Sequence, residues 1–195
     1  MSHFRSRRKG GVHVELPPYA AGLLANLTRQ LIELLRDGEP TIRTGTDPLE
    51  AMLDFEGPSE APEDPALRRL LPDAHRDDDE AAAEFRRFTE RGLRESKVGD
   101  ATVVLTTLGV LGDAGDGGGG ALEADVEFEL DREQARAWLR CLTDLRLTLA
   151  ERLGVTADDD EPWDALPEDD ERLPVYEIYH WLGYLLESLL DAVRR

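Results

Sequence analysis

The side chains able to do chemistry in this 195-residue chain are one cysteine, four histidines, a surplus of carboxylates and scattered arginines. Cys141 is the sole thiol, so an intramolecular disulfide and a thiolate zinc site are both excluded. A reducing compartment suits such a chain best. A reactive thiol needs a helix N-terminus or an adjacent cation. Cys141 instead lies in a leucine-spaced run, at the edge of a stripe formed by Trp138, Leu142, Leu145 and Leu149. A small, packed, inert cysteine is the simpler expectation there, although Arg140 and Arg146 nearby keep a redox role open. His3, His13, His75 and His180 show no metal-binding spacing. The acidic runs Asp77–Glu80 and Asp158–Glu161 are expected to be solvated charge. An EF-hand loop needs glycine at its sixth position, and counting from Asp158 that position is Trp163. Six glycines between Gly112 and Gly120 suggest a phosphate loop, but no Lys-Ser/Thr follows and a strand comes next, so a flexible linker is expected. These residues imply no catalytic group, no metal and no cofactor, hence a protein that is not an enzyme. A pocket with two convergent carboxylates of separated pKa would be needed to reverse that expectation.

Charge narrows the partners. The formal net charge is −19, from 42 acidic and 23 basic residues. Such a field repels nucleic-acid backbones and anionic membrane surfaces. No apolar run approaches the length of a membrane span. Ser6-Arg7-Arg8 superficially resembles a twin-arginine signal, yet Gly10, Gly11 and His13 stand where an apolar stretch is required, so a cytoplasmic location is expected. The internal basic patch is Arg86, Arg87, Arg91, Arg94 and Lys97, best explained as neutralising the chain's own acidic loops, with Glu90 and Arg94 in the favourable order for a helical ion pair.

The elements that position these groups can be read from periodicity. Ala124, Val126, Phe128 and Leu130 alternate with Glu123, Asp125, Glu127 and Glu129, a half-buried strand with an acidic outer face. Asp131 and Gln134 then form a capping box for a helix that stops at Gly154. Val12, Val14 and Leu16 mark a short N-terminal strand, with Phe4 available to a partner strand before the Gly10-Gly11 turn. Pro17-Pro18 opens a helix with an apolar stripe of Leu23, Leu24, Leu27, Leu31, Leu34 and Leu35, ended by Gly38. Short helices are expected over 47–53 and 65–71, inside an acidic loop region near 39–79. A helix from about Asp79 carries Ala81, Phe85, Phe88 and Leu93. Residues 98–111 combine helical spacing with strand-favouring Thr and Val, and their length favours helix. A second acidic loop spans 155–172. Pro174 opens a terminal helix to about Val193, apolar on so many sides that it is either central to the bundle or half of a homodimer interface. The expected fold is mainly α: a single helical bundle over 1–195, with a small antiparallel β element formed by the N-terminal strand and the strand near 123–130.

One resemblance joins these segments. Leu142-Thr143-Asp144-Leu145-Arg146-Leu147 with Leu153-Gly154, then Tyr179-His180-Trp181-Leu182 in the terminal helix, resembles the AosR-like family of actinobacterial oxidative-stress regulators. Glu84-Phe85-Arg86-Arg87 and the leucine-rich helix after Val12–Leu16 are similar too, so the likeness covers essentially the whole chain. It implies a cytoplasmic regulator, often encoded beside the ClpS protease adaptor, that acts in oxidative-stress transcription through contact with a sigma-factor-type partner. An adaptor role in Clp proteolysis is the alternative. The family's oxidant sensor is a close cysteine pair. Here Cys141 stands alone, so an intramolecular disulfide switch does not carry over, and any thiol sensing would use a mixed or intermolecular disulfide. The expected interaction surface comprises Trp181 and Tyr184 of the terminal helix with Arg86 and Arg87. Asp144 and Arg146 interrupt the leucine run; either both are ordinary polar-face residues, or one is drawn into the bundle against a partner from another helix.

Overall fold

The computed structural model describes residues 3–7, 10–37, 58–75, 77–109, 125–155, 167 and 169–194. The expected helix at 47–53, the glycine run, the run Asp158–Glu161 and the strand residues Glu123 and Ala124 lie outside them. The elements run β1 (Phe4–Ser6), β2 (Val12–Leu16), α1 (Pro18–Arg36), α2 (Pro65–Leu70), α3 (Asp79–Thr107), β3 (Val126–Leu130), α4 (Arg132–Leu153) and α5 (Leu173–Arg194). The fold is mainly α with one small antiparallel sheet, as the residue periods require.

The sheet order is β1-β2-β3, with Phe4 opposite Val14 and Val14 opposite Phe128. The partner strand available at Phe4 forms, and it adds a third strand to the pair made by the N-terminal strand and β3. Val12, Val14, Leu16, Phe4 and Leu130 turn to the helices and are buried. Trp138 of α4 is fully buried between the rings of Phe4 (5.9 Å, edge-on) and Phe128 (5.6 Å). Its indole N–H donates to Thr107 Oγ1 at 2.9 Å, so the sheet, α3 and α4 meet at one satisfied polar group.

The helix ends follow capping chemistry. Asp131 Oδ1 accepts from Gln134 N at 2.8 Å, while Asp131 N donates to Gln134 Oε1 at 2.9 Å. Gly154 closes α4 at φ 70°, where a Cβ would be strained. Asp64 caps α2 and Asp78 caps α3. The main departure from expectation is α3, one continuous helix where two segments were anticipated. Gly92 and Gly99 do not break it, and Thr102, Thr106 and Thr107 satisfy their hydroxyls by donating to carbonyls one turn back. In α1 the buried face is Ala20, Ala21, Leu24, Ala25, Thr28, Leu31, Ile32 and Leu35, so Leu23, Leu27 and Leu34 flank the stripe rather than define it. The small residues allow α1 to approach its neighbours closely.

α4 is the hub: it packs on α5, α3, α2 and α1. α5 buries Leu182, Gly183, Leu185, Leu189 and Ala192, with β1 and α4 against it. Tyr184 on its other side is exposed, as is Val193 in its last turn. No helix of the described residues is long and apolar enough to cross a membrane.

Candidate functional site

The expected functional residues gather on α3, α4 and α5. Cys141 is 1% exposed and packed within the hydrophobic core. Burial pushes the thiol up to about 12, and the Asp144 carboxylate one turn away adds to the shift. A neutral, enclosed thiol is a poor nucleophile, because only the thiolate attacks an oxidant or a disulfide. Arg140 and Arg146 do not activate it: Arg140 binds Asp100, and Arg146 turns toward α5.

Two ion pairs cross the seam between α3 and α4. Lys97 Nζ lies 2.7 Å from Asp144 Oδ1. Arg140 donates from Nε and Nη2 to the two carboxylate oxygens of Asp100, both at 2.6 Å, a planar fork. Asp144 is buried, and that burial holds its carboxyl above the ordinary aspartate range against the opposing pull of Lys97. These four residues line a groove of about 350 Å³ together with Leu93, Ser96, Leu139 and Thr143. The groove is large enough for a small ligand, but its cations and anions already neutralise one another.

Arg146 lies against the Tyr179 ring, its guanidinium carbon 4.7 Å from the ring centroid. Gly183 makes room for it: a Cβ there would fall 3.3 Å from Arg146 Nε. Tyr176 and His180 continue this aromatic group, edge to face at 4.3 Å. Trp181 is half-buried against the core, while Tyr184 is 43% exposed and touches His3 edge-on at 6.1 Å.

The arginine face needs correction. Arg86 was expected on an interaction surface, but it is buried and its guanidinium bonds the Ser59 carbonyl and the Asp73 carboxylate. Arg94 is also buried. It pairs with Glu90 at 2.7 Å and donates to the carbonyls of Leu35 and Asp37 at 2.7 and 3.0 Å, closing the C-terminus of α1. Both side chains fall on the packed side of α3 because they are spaced eight residues apart, with Glu90 midway. Arg87 is exposed. Reading the residues alone missed Lys97, Asp100 and Arg140 as a set. A signal existed: Lys97 with Asp100 and Arg140 with Asp144 each span one helical turn, with charges in matching order on two helices. Among the described residues, no group of three or more His, Cys, Asp or Glu is placed to hold a metal ion.

Comparison places the chain in a family. The family described as a domain of unknown function, DUF2017, matches residues 1–193. The chain belongs to that family. Relatives named oxidative stress regulator AosR from Mycobacterium bovis and from two Mycobacterium tuberculosis strains are 33% identical over 191 residues, covering 90% of this chain and 78% of theirs. No solved structure matches the chain.

Proposed function

We propose that this chain is a non-enzymatic regulatory protein of the oxidative-stress response that works in the cytoplasm by binding another protein, a sigma factor or equivalent component of the transcription machinery. The observation that carries this is its 33% identity, over 90% of its length, to proteins named oxidative stress regulator. The charge supports protein rather than nucleic acid as the target. At −19 the chain repels a phosphate backbone, whereas a basic protein surface is drawn in and its encounter accelerated. The buried, protonated Cys141 supports an arrangement in which oxidant sensing lies outside this chain's own thiol chemistry. Two measurements on the native host test the proposal. Deleting the gene is expected to alter the set of transcripts induced by peroxide, and the tagged chain is expected to co-purify with a sigma factor. Unchanged transcripts together with no recovered transcription protein would sink it.

A further inference from the structure

We infer that the free edge of β3 is a strand-addition site for an extended basic segment of a partner protein, carrying Lys or Arg at alternate positions with an apolar residue between them. This rests on the reading that the chain acts through protein contact, and it names the surface and the chemistry of the contact.

β3 pairs with β2 on one side only, and it ends the sheet among the described residues. The backbone N–H and C=O groups on its other side therefore face away from the ladder, the arrangement that accepts an added strand. Charge across the sheet is graded. Arg5 on β1 lies opposite His13 on β2, and His13 lies opposite Glu129 on β3. Arg5 also reaches Glu15 at 3.3 Å, and Arg7 reaches Glu129 at 3.8 Å. Cations thus stand on one edge and anions on the other.

Glu127 is the residue this pattern leaves unsettled. It lies directly opposite Glu15, a like-charge pair that costs stability in an antiparallel ladder. Arg5 compensates Glu15, but Glu127 has no ion pair among the described residues. A cation on a fourth strand would sit beside it, and another two residues along would sit beside Glu129. The opposite face of β3 asks for the middle residue. Val126 and Phe128 are only half-buried at the edge of the core, so an apolar side chain between the two cations would extend that core. Two copies of this chain do not satisfy the site by symmetric edge pairing, since β3 against β3 sets Glu127 and Glu129 against their own kind.

The test uses the full chain and a fluorescein-labelled peptide, Gly-Arg-Val-Arg-Val-Arg-Gly. Binding is expected at low salt, with slowed amide exchange at Glu127 and Glu129, whose N–H groups face away from β2. The Glu127→Lys/Glu129→Lys chain, altered only at exposed positions, is expected to bind at least tenfold more weakly and to prefer the same peptide with Glu for Arg. Two further peptides, N-methylated on alternate amides in the two possible phases, carry identical charge. They must differ at least tenfold, because only one set of amides faces β3. Equal binding of the two, or no added protection at Glu127 and Glu129, overturns the proposal as mere attraction to an acidic surface. Concentration-dependent assembly of the chain alone, abolished by Glu127→Lys, overturns it in favour of a second copy. Co-purification from cells separates this idea from its premise. If the doubly reversed chain still recovers the wild-type partners, the β3 edge is not the contact, although regulation by protein binding stands. If the wild type itself recovers none, the premise fails.

Discussion

Lys97 and Asp144 join α3 to α4 through a 2.7 Å ion pair whose two halves differ in burial, the carboxylate side chain 6% exposed and the lysine 21%. That asymmetry decides which partner is expendable. Removing Asp144 frees a cation that can reach water. Removing Lys97 leaves a carboxylate enclosed and unpaired, the costlier outcome.

Lys97→Met is therefore expected to destabilise the fold by about 3 kcal/mol at pH 7, and Asp144→Asn by about 1 kcal/mol or less. The pH dependence has a definite sign. Asp144 already has a carboxyl raised by burial, so its ionisation opposes folding as pH rises through the ordinary aspartate range toward the folded value. Loss of Lys97 raises it further. The Lys97→Met penalty should shrink at pH 4, where the orphan carboxyl takes a proton. Urea unfolding at pH 4 and pH 7 measures this, and a penalty that grows on acidification would contradict it.

Cys141 should behave as an inert core residue. A thiol held near 12 rather than 9 has about a thousandfold less thiolate at neutral pH, and enclosure slows attack further. Iodoacetamide at pH 8 is expected to label the native chain only at the rate at which it opens, and urea is expected to restore fast labelling. Because the folded thiol keeps its proton while the unfolded one loses it, this thiol should lower stability by up to about 1.4 kcal/mol per pH unit between about pH 9 and 12, a contribution that Cys141→Ala removes. Rapid labelling of the native protein would restore a redox role to this thiol.

Where a residue's environment was set by its own helix or strand, the sequence disclosed it. The capping box at Asp131 and Gln134, the stop at Gly154 and the alternation of Val126, Phe128 and Leu130 depend on neighbours within one turn or one strand. Periodicity also marked Trp138, Leu142 and Leu145 as core. What stayed hidden depended on facing elements. The inward turn of Arg86 is fixed by Asp73 and Ser59 from a loop, and Arg94 by carbonyls of α1, more than fifty residues away in sequence. Arginine rows look like surface until a buried acceptor is found for them. Lys97 likewise acquires meaning only when α4 brings Asp144 beside it.

Arg94→Met is expected to cost about 3–5 kcal/mol, since it strips Glu90 of its counterion in a site where that carboxylate is 2% exposed and also releases the α1 carbonyls of Leu35 and Asp37. Arg94→Lys should recover less than half of the loss, because an ammonium cannot serve Glu90 and two carbonyls in the geometry of a guanidinium fork. The double change Arg94→Met/Glu90→Leu should be milder than Arg94→Met alone. Denaturation midpoints of the four proteins decide the matter, and a single variant no worse than the double would remove the ion pair from the account.

Gly183 and Arg146 yield a prediction in which one substitution changes sign with its background. An interior helical glycine is normally improved by alanine, by about 1 kcal/mol. At Gly183 the new Cβ would lie 3.3 Å from Arg146 Nε and 3.4 Å from Cζ, closer than a relaxed contact. It would push the guanidinium off the Tyr179 face, where it now sits 4.7 Å from the ring centroid. In the natural background Gly183→Ala should therefore be neutral or destabilising by up to about 1 kcal/mol, the crowding offsetting the helical gain. With Arg146→Ala already in place the obstruction is gone, and the same change should stabilise by about 1 kcal/mol. The coupling between the two sites, read from a double-mutant cycle in urea, should thus reach about 1–2 kcal/mol. Additive effects would mean that the guanidinium moves aside without cost and that the glycine is not there to seat it.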